Sequence, residues 1–297
     1  MRRHPVLFGI LLLICTGLVF FFLMHYLFGS GRDRYALPLG SKVAVVEVKG
    51  IITDSQKIIE DIDDFSGDDR VKAIVIRIDS PGGGVAPTQE IYDALLEAGK
   101  KKKVVASMGS VAASGGYLLA CGADKIVANP GTITGSISAV MHFANFQELM
   151  QKIGVSTSVI KSGKFKDIGS PAREMTEEEK TLLQQVVDDV NEQLIDTVAD
   201  RRKIPKEMVR QIADGRIMTG RQALKAGLVD FLGNRKYAVR LAAKLAGMEG
   251  EPEEVYPVRK QPFLSDFLME NMAMFVKKAL VQESQKLDGL NFLYLPD

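Results

Sequence analysis

Residues 104–120 constrain the fold more than any other stretch of the chain. Residues 104–106 (Val-Val-Ala) form a short apolar run typical of a buried strand. A serine- and glycine-rich stretch follows, and residues 115–121 are small and apolar enough for a buried helix. A strand, a sharp glycine-rich turn and a helix place Ser114 at a helix N-terminus, beside unpaired N–H groups and the positive end of the helix dipole. Ser114 is therefore either a candidate nucleophile or only the N-cap of that helix.

Strand-like and helix-like segments alternate around this stretch. The pattern predicts strands at 43–48, 71–78, 103–107, 125–128, 137–142 and 155–160, and helices at 54–65, 87–98, 115–121 and 147–154. Such alternation implies a mostly parallel, layered α/β domain. Ligands in these folds bind beyond the carboxyl ends of the strands, where Ser114 and a glycine run at 82–84 both fall.

The glycine run belongs to the sequence Asp79-Ser80-Pro81-Gly82-Gly83-Gly84, directly after the second predicted strand. Its backbone N–H groups are unshielded and can point at an anion. The phosphate-binding pattern Gly-x-x-x-x-Gly-Lys-Ser/Thr is absent here, so a nucleotide loop is not expected. The run is either a flexible turn or, beside a candidate nucleophile, an oxyanion hole.

A nucleophilic Ser114 needs a base to accept its proton. His4 and His25 belong to the apolar N-terminal region, and His142 is predicted to lie in a strand, where histidines are usually structural. A lysine serves as the base when desolvation keeps its amine neutral. The loop at 161–171 offers three candidates, and spacing alone does not choose among them: Lys161, Lys164 and Lys166.

A long helix is predicted after this loop, because Thr176 and Glu179 form a capping box. Its apolar residues recur at helical spacing and are interpreted as core: Leu182, Leu183, Val186, Val187, Val190, Leu194 and Val198. A short helix ending near Gly227 and a final helix ending near Gly247 complete the domain. Residues 251–297 are predicted to form a linker, an amphipathic helix at 264–286 and an apolar tail at 290–295 that docks on a neighbouring subunit or in the binding groove.

The N-terminal region contains an uncharged run at residues 6–24, extended by apolar residues to 28. A helix of about 20 apolar residues spans a bilayer, so this segment is predicted to be a membrane anchor. The slight excess of basic groups before it favours a cytoplasmic N-terminus and an exported body. The net charge of +1 provides no basic field for nucleic acid. Cys15 and Cys121 are the only cysteines, too few for a disulfide framework or a zinc site.

Several of these motifs, taken in order, resemble the signal peptide peptidase A (SppA) family in its short bacterial form. The resemblance runs from about residue 42 to 245, and its motifs are 79–83, 108–117, 134–137, 162–171 and 219–223. Two departures are visible: Asp79 replaces a frequent Asn, and Ser138-Ala139 replaces a usual Gly-Val. Neither departure removes a catalytic group.

The resemblance implies a crotonase/ClpP-like layered α/β fold and a serine endopeptidase with a Ser/Lys dyad. By motif, Ser114 matches the nucleophile, Lys166 the general base, and Ser136 the hydroxyl that orients the lysine amine. Gly82 or Gly83, with the N–H of Ser114, matches the oxyanion hole. No metal or other cofactor is expected.

The resemblance also implies a homo-oligomer, typically a ring of eight, in which adjacent subunits supply the serine and the lysine of one site. The expected substrates are remnant signal peptides, bound extended, with small or apolar side chains in pockets. The predicted organisation is an anchor at 1–35, with residues 6–28 in lipid, a peptidase domain at 36–250 and a linker and tail at 251–297. The expected location is the bacterial inner membrane, single-pass, with the catalytic domain on the extracytoplasmic side.

Two alternatives belong to other classes of protein. The crotonase fold also has glycine-rich oxyanion loops, so a crotonase-type acyl-CoA enzyme is one of them. That reading needs acidic catalytic residues and a coenzyme A site, and it explains neither the anchor nor Ser114. The other is a membrane-anchored scaffold that has lost activity, which predicts loss of Ser114 or of the lysine.

Overall fold

The computed structural model describes residues 16–21 and 41–257. The chain divides after Ser41 into two units, and each is described by itself. In the first unit, residues 16–21 are helical, while the rest of the predicted anchor at 6–28 lies outside the described residues. The predicted helix at 264–286 and the tail at 290–295 also lie outside them. Within the described ranges, no helix has the length and apolar character needed to cross a bilayer.

The second unit alternates strands and helices as predicted. Its strands are β1 Lys42–Lys49, β2 Val71–Ser80, β3 Lys103–Ala113, β4 Lys125–Ala128, β5 Ile133–Gly135, β6 Ile217–Thr219, β7 Phe231–Leu232 and β8 Glu253–Val255. Its helices are α1 Gln56–Gly67, α2 Val85–Lys101, α3 Gly115–Cys121, α4 Gln147–Lys152, α5 Glu177–Arg202, α6 Lys206–Arg210, α7 Gly220–Lys225 and α8 Arg235–Leu245.

All the strands belong to one mixed sheet with the order β6-β5-β3-β2-β1-β8, in which β4 also pairs with β3, and β7 with β4. The pairs are parallel except β5 with β6. Strand β3 is the longest, and it changes its outer neighbour from β4 to β5 along its length. Its carboxyl end therefore stays within the sheet up to Ala113, which fixes where the chain turns at Ser114.

Both faces of the central strands are buried, which makes the domain three-layered. In β2, Ile74, Ile76 and Ile78 belong to the core cluster under α1, α2, α3 and α5. Ala73 and Val75 point to the opposite cluster, which α8 covers. Near-continuous apolar runs are typical of parallel strands buried on both faces, as observed here.

Five sequence-based predictions of local structure are wrong. Residues 137–142 and 155–160 have no strand partner among the described residues, because β5 and β4 already occupy the outer edge of β3. The segment after residue 107 continues as strand β3 to Ala113 rather than turning. The predicted linker contains β8, which adds to the edge of the sheet beside β1. The apolar stripe of α5 is core only near its end, since Val198 is buried whereas Leu182 and Val186 are exposed.

Candidate active site

Ser114 lies at the junction between β3 and α3, in a backbone conformation that is rare for residues with a side chain. Its φ is 54° and its ψ is −121°. Such sparsely populated conformations cost about 1–3 kcal/mol and cluster at functional sites. The surrounding backbone holds it in place: the Ser114 N–H donates to the Gly135 carbonyl at 2.9 Å, and the Ser114 carbonyl accepts from Tyr117 and Leu118.

The side chain of Ser114 does not cap its own helix. Ser114 occupies the N-cap position of α3, yet its side chain makes no capping hydrogen bond. By contrast, Thr176 and Thr219 at two other helix starts each complete a capping box. The simpler interpretation of Ser114, as an N-cap alone, is therefore not supported, and its hydroxyl is available for another role.

The glycine run lies directly against Ser114. Gly82 has a φ of +102°, and a Cβ at this position would come within 2.8 Å of the Gly115 nitrogen and 3.0 Å of the Ser114 Cβ. Two hydrogen bonds to Ile52 hold the backbone on either side of Gly83. The Ile52 N–H donates to the Gly82 carbonyl at 3.0 Å, and the Ile52 carbonyl accepts from the Gly84 N–H at 2.8 Å. Only glycine allows this close approach of two backbone segments.

The backbone donors beside Ser114 differ from those expected. The Ser114 N–H is already bonded to Gly135, and the Gly82 N–H donates to the Ser80 hydroxyl at 3.1 Å. The N–H groups of Gly83 and Gly115 have no acceptor among residues 41–257. Two unpaired N–H groups beside a nucleophile are what an oxyanion hole requires. Of the expected donors, Ser114 and Gly82 are thus already hydrogen-bonded within the domain, whereas Gly83 and the neighbouring Gly115 are free to donate to a ligand.

A bulge in β3 shapes the approach to Ser114. Ile78 pairs with Met108, but Ser80 pairs with Ala112, so β3 carries extra residues opposite Asp79. The Asp79 carboxylate accepts a hydrogen bond from the Val111 N–H at 3.0 Å and so holds the bulge. An Asn side-chain oxygen can accept the same bond, which explains why Asp is compatible with this position.

Ser114 opens onto a cavity of about 380 Å³. The cavity lies between α2, α3, α5 and the segment 138–141, and its lining includes Ser114, Gly115 and Gly83. Most of the remaining wall is apolar: Val85, Tyr92, Leu118, Val140, Met141, Val187, Val190 and Leu194. Sequence periodicity alone treated three of these residues, on α5, as core. Val187 and Val190 instead form the wall of a pocket next to the candidate nucleophile, while Leu194 lines this pocket and also packs against the core.

The three lysines of the loop at 161–171 differ in their surroundings. Lys161 pairs with Asp167, and Lys164 pairs with Glu178. Lys166 is exposed, and its amine has no hydrogen bond or ion pair within the described part of the chain. Lys166 is not among the residues that line the cavity at Ser114. A single copy of the chain therefore does not bring the two predicted dyad residues into one cavity.

Ion pairs fix the loop that carries Lys166 to the start of α5. The Arg173 guanidinium donates to Asp167 at 3.0 Å and to Glu179. Hydrogen bonds from Arg173 and Lys161 hold the pKa of Asp167 well below its usual range. Hydrogen bonds from Arg173 and the Thr176 N–H lower the pKa of Glu179 to about 2. These interactions therefore fix the position of Asp167, the residue next to Lys166.

Ser136 leaves the sheet beside Ser114. It follows Gly135, has a φ of 51°, and donates its N–H to the Arg216 carbonyl at 2.8 Å. His142 lies on an exposed segment outside any strand and does not line the cavity. Burial raises the pKa of the Cys121 thiol to about 11, so this cysteine stays protonated and is not a competing nucleophile.

Two families of known proteins match this chain. The family described as Peptidase family S49 matches residues 97–249, and the family described as Clp protease matches residues 43–133. The second match runs from β1 through β4 and ends at the first residue of β5, in line with the predicted ClpP-like α/β fold. Together the two matches include Ser114 and the loop that carries Lys166.

Relatives with protease names cover most of the same region. "Putative protease slr0021" of Synechocystis is 45% identical over 72% of this chain and 78% of the relative. "Putative signal peptide peptidase SppA" of Enterococcus faecium is 34% identical over 65% of this chain and 60% of the relative. "Protease 4" of Salmonella typhi is 33% identical over 84% of this chain and 41% of the relative.

Proposed function

Because this chain belongs to the S49 family of serine peptidases, we propose that it is a membrane-anchored endopeptidase that uses Ser114 as nucleophile and Lys166 as general base. The observation that carries the proposal is the geometry at Ser114. A strained serine with an uncommitted hydroxyl lines the same cavity as Gly83 and Gly115, whose N–H groups have no acceptor among residues 41–257.

In the proposed reaction, the Ser114 Oγ attacks the carbonyl carbon of the scissile peptide, and its proton passes to the neutral amine of Lys166. The carbonyl oxygen becomes an oxyanion that accepts hydrogen bonds from Gly83 and Gly115. Lys166 then gives the proton to the leaving amine as the C–N bond breaks. Water, deprotonated by the same amine, releases the acyl group from Ser114.

The choice of Lys166 rests on its lack of a counter-ion. Lys161 and Lys164 are each engaged in an ion pair with a carboxylate. Lys166 has no such partner in the described ranges. Burial of its amine against a second protein surface would therefore favour the neutral form of that amine, with no carboxylate to oppose this effect. Ser136 is proposed to orient that amine through its hydroxyl.

A homo-oligomer, proposed to be a ring of eight, would complete the site by bringing Lys166 of one subunit to Ser114 of the next. The separation of Lys166 from the cavity in one copy supports this arrangement. So do exposed apolar side chains on the segment between the two site residues: Val140, Phe143, Phe146, Leu149, Ile153, Val155, Val159 and Ile160. Contact with a second copy would bury them and desolvate Lys166.

The proposed substrates are remnant signal peptides in the inner membrane. A relative's name includes signal peptide peptidase, and the predicted anchor at 6–28 would hold the catalytic domain at the extracytoplasmic face of that membrane. An extended peptide would place one side chain in the cavity beside Ser114.

The test uses the full-length chain in detergent with a fluorogenic signal-peptide-like substrate. We expect Ser114→Ala and Lys166→Ala each to lower kcat by about 10³-fold or more, because the members of a catalytic pair act as a unit. His142→Ala and Lys164→Ala serve as matched controls and should retain activity. Wild-type turnover by Ser114→Ala would refute the nucleophile assignment, and an active Lys166→Ala would refute the base.

A further inference from the structure

Asp93 places a carboxylate on the wall of the cavity that begins at Ser114. It lies on α2 and is exposed, and it forms no hydrogen bond or ion pair with any described residue. Arg201, a cation that acts on the neighbouring Tyr92, donates its guanidinium to the Cys121 and Ala123 carbonyls at 2.8 and 3.3 Å. The Asp93 carboxylate is therefore available to a ligand that enters the cavity.

The position of Asp93 along α2 sets its depth relative to Ser114. Thr88 packs against Gly115 at the start of α3, and Leu95 packs against Gly122 at its end, so the two helices run in the same direction. Asp93 follows Thr88 by five residues, which corresponds to about 7.5 Å along the helix axis at 1.5 Å per residue. Only a long side chain spans this distance from a carbonyl held at Ser114.

The wall between these two levels is apolar. Leu118 on α3 and Val187, Val190 and Leu194 on α5 line the cavity, and the half-buried ring of Tyr92 lies next to Asp93 in the chain. A methylene stem fits such a wall, and a carboxylate with a neighbouring aromatic ring suits a cationic head. Lysine and arginine combine these two features in one side chain.

We propose that this cavity binds the lysine or arginine side chain of the substrate residue whose carbonyl Ser114 attacks, with Asp93 as the counter-ion. The proposal rests on the proposed peptidase function and specifies its substrate class. Ser114, Gly115 and Gly83 belong to the same cavity lining, so the side chain that enters the cavity comes from the residue at the scissile bond.

The test compares peptides that differ at this residue alone: arginine, its neutral isostere citrulline, lysine and leucine. We expect the full-length chain to hydrolyse the arginine peptide with a kcat/KM at least about tenfold above that of the citrulline peptide. Asp93→Asn should reduce that ratio to about one. Glu97→Gln is the matched control, because it removes one negative charge from the same helix outside the cavity lining.

Binding of the same peptides to Ser114→Ala, with and without Asp93→Asn, separates this inference from the proposed function. An arginine preference in binding that disappears with Asp93→Asn supports the pocket even where hydrolysis fails, and that failure would count against the peptidase mechanism alone. Equal binding and equal hydrolysis of the arginine and citrulline peptides would overturn the pocket assignment. So would a preference that Asp93→Asn leaves intact.

Discussion

Ser114 and Ser136 lie side by side where two parallel strands end. Each follows directly after one of two residues that are paired across those strands. Ala113 in β3 is paired with Gly135 in β5, and the N–H of Ser114 donates to the Gly135 carbonyl at 2.9 Å. Both serines have positive φ values, 54° and 51°. The two strands end in strained backbone conformations, and this places two hydroxyl-bearing residues together at the carboxyl ends of β3 and β5.

Substitution of Ser136 tests whether its hydroxyl or its backbone conformation matters. We expect Ser136→Ala to lower kcat/KM by about 10- to 100-fold, because its hydroxyl is proposed to orient the amine of Lys166. A hydroxyl that donates to the lysine amine favours its neutral form, so its removal should also shift the acid limb of the pH–rate profile to higher pH.

Ser136→Gly separates the two roles, because glycine adopts positive φ without strain but has no hydroxyl. We expect it to be as impaired as Ser136→Ala, while the exposed Ser110→Ala serves as control. An active Ser136→Gly, or an unchanged pH profile in Ser136→Ala, would show that Ser136 acts only through its backbone.

Gly82 is expected to tolerate no side chain. Its φ of +102° is strained for alanine, and the added Cβ would approach the Gly115 nitrogen to 2.8 Å, displacing a proposed oxyanion donor. We expect Gly82→Ala to lower kcat by about 10²-fold, the typical effect of losing one such donor. Steady-state kinetics on protein shown by circular dichroism to be folded would measure this.

Gly99→Ala provides the matched comparison for Gly82→Ala. Gly99 lies in α2, and a Cβ there meets no atom within 4 Å. Since alanine favours a helix by about 1 kcal/mol over glycine, this variant should be fully active and slightly more stable. Equal activity in both variants would contradict the close approach of residues 82 and 115.

Local signals were sufficient to predict the layered fold and the position of Ser114. Apolar runs bounded by glycine and polar residues marked β1, β2 and β4, and the glycine runs marked where two backbone segments meet. These signals lie within about ten residues of the feature they predict. The serine at the end of β3 could therefore be recognised without knowing which strands are neighbours.

The pairing of strands that are distant in the sequence could not be predicted from such local signals. Strand β5 consists of three residues within a polar, glycine-containing segment that the sequence marks as a loop. These residues form a strand because β3 and β6 pair with them on either side. Residues 155–160 have strand-like composition but no partner in the described chain. Helical periodicity also shows which face of α5 is apolar without showing that Val187 and Val190 face a cavity rather than the core. The N–H of Gly115 has no acceptor in the described part of the chain, and the sequence marks it only by its place after Ser114.

The ion pairs that tie the lysine loop to α5 predict a loss of stability in acid. Folding lowers the pKa of Glu179 from 4.5 to about 2, chiefly through hydrogen bonds from Arg173. The contribution of Glu179 to stability is therefore fully present above pH 4.5 and is lost as the pH falls toward about 2. Asp167, whose pKa is also lowered, acts in the same direction.

Thermal unfolding of Glu179→Gln and wild type across this range measures the effect. We expect Glu179→Gln to melt below wild type at about pH 6, and the difference to vanish near about pH 2. Glu178→Gln, one residue earlier and more than half exposed, should melt like wild type throughout. A Glu179→Gln deficit that is the same at every pH would show that the carboxylate charge does not stabilise the loop.

The position of Lys166 outside the Ser114 cavity leads to the prediction that two inactive variants complement each other. In a mixed oligomer of Ser114→Ala and Lys166→Ala subunits, some neighbouring pairs combine an intact serine with an intact lysine. With random assembly of equal amounts, about a quarter of the sites are complete, so about a quarter of wild-type activity is expected. Co-expression with two affinity tags and sequential purification isolates the mixed oligomers for assay.

The control replaces the Lys166→Ala subunit with the Ser114→Ala/Lys166→Ala double variant, which leaves no complete site in any arrangement and should give no activity. Dependence on assembly is checked by dilution, because activity of a shared site must fall as subunits dissociate. Mixed oligomers that form but stay inactive would mean that each subunit supplies its own lysine. In that case the loop at 161–171 would have to move to reach the cavity within one chain, against the ion pairs from Arg173 to Asp167 and Glu179.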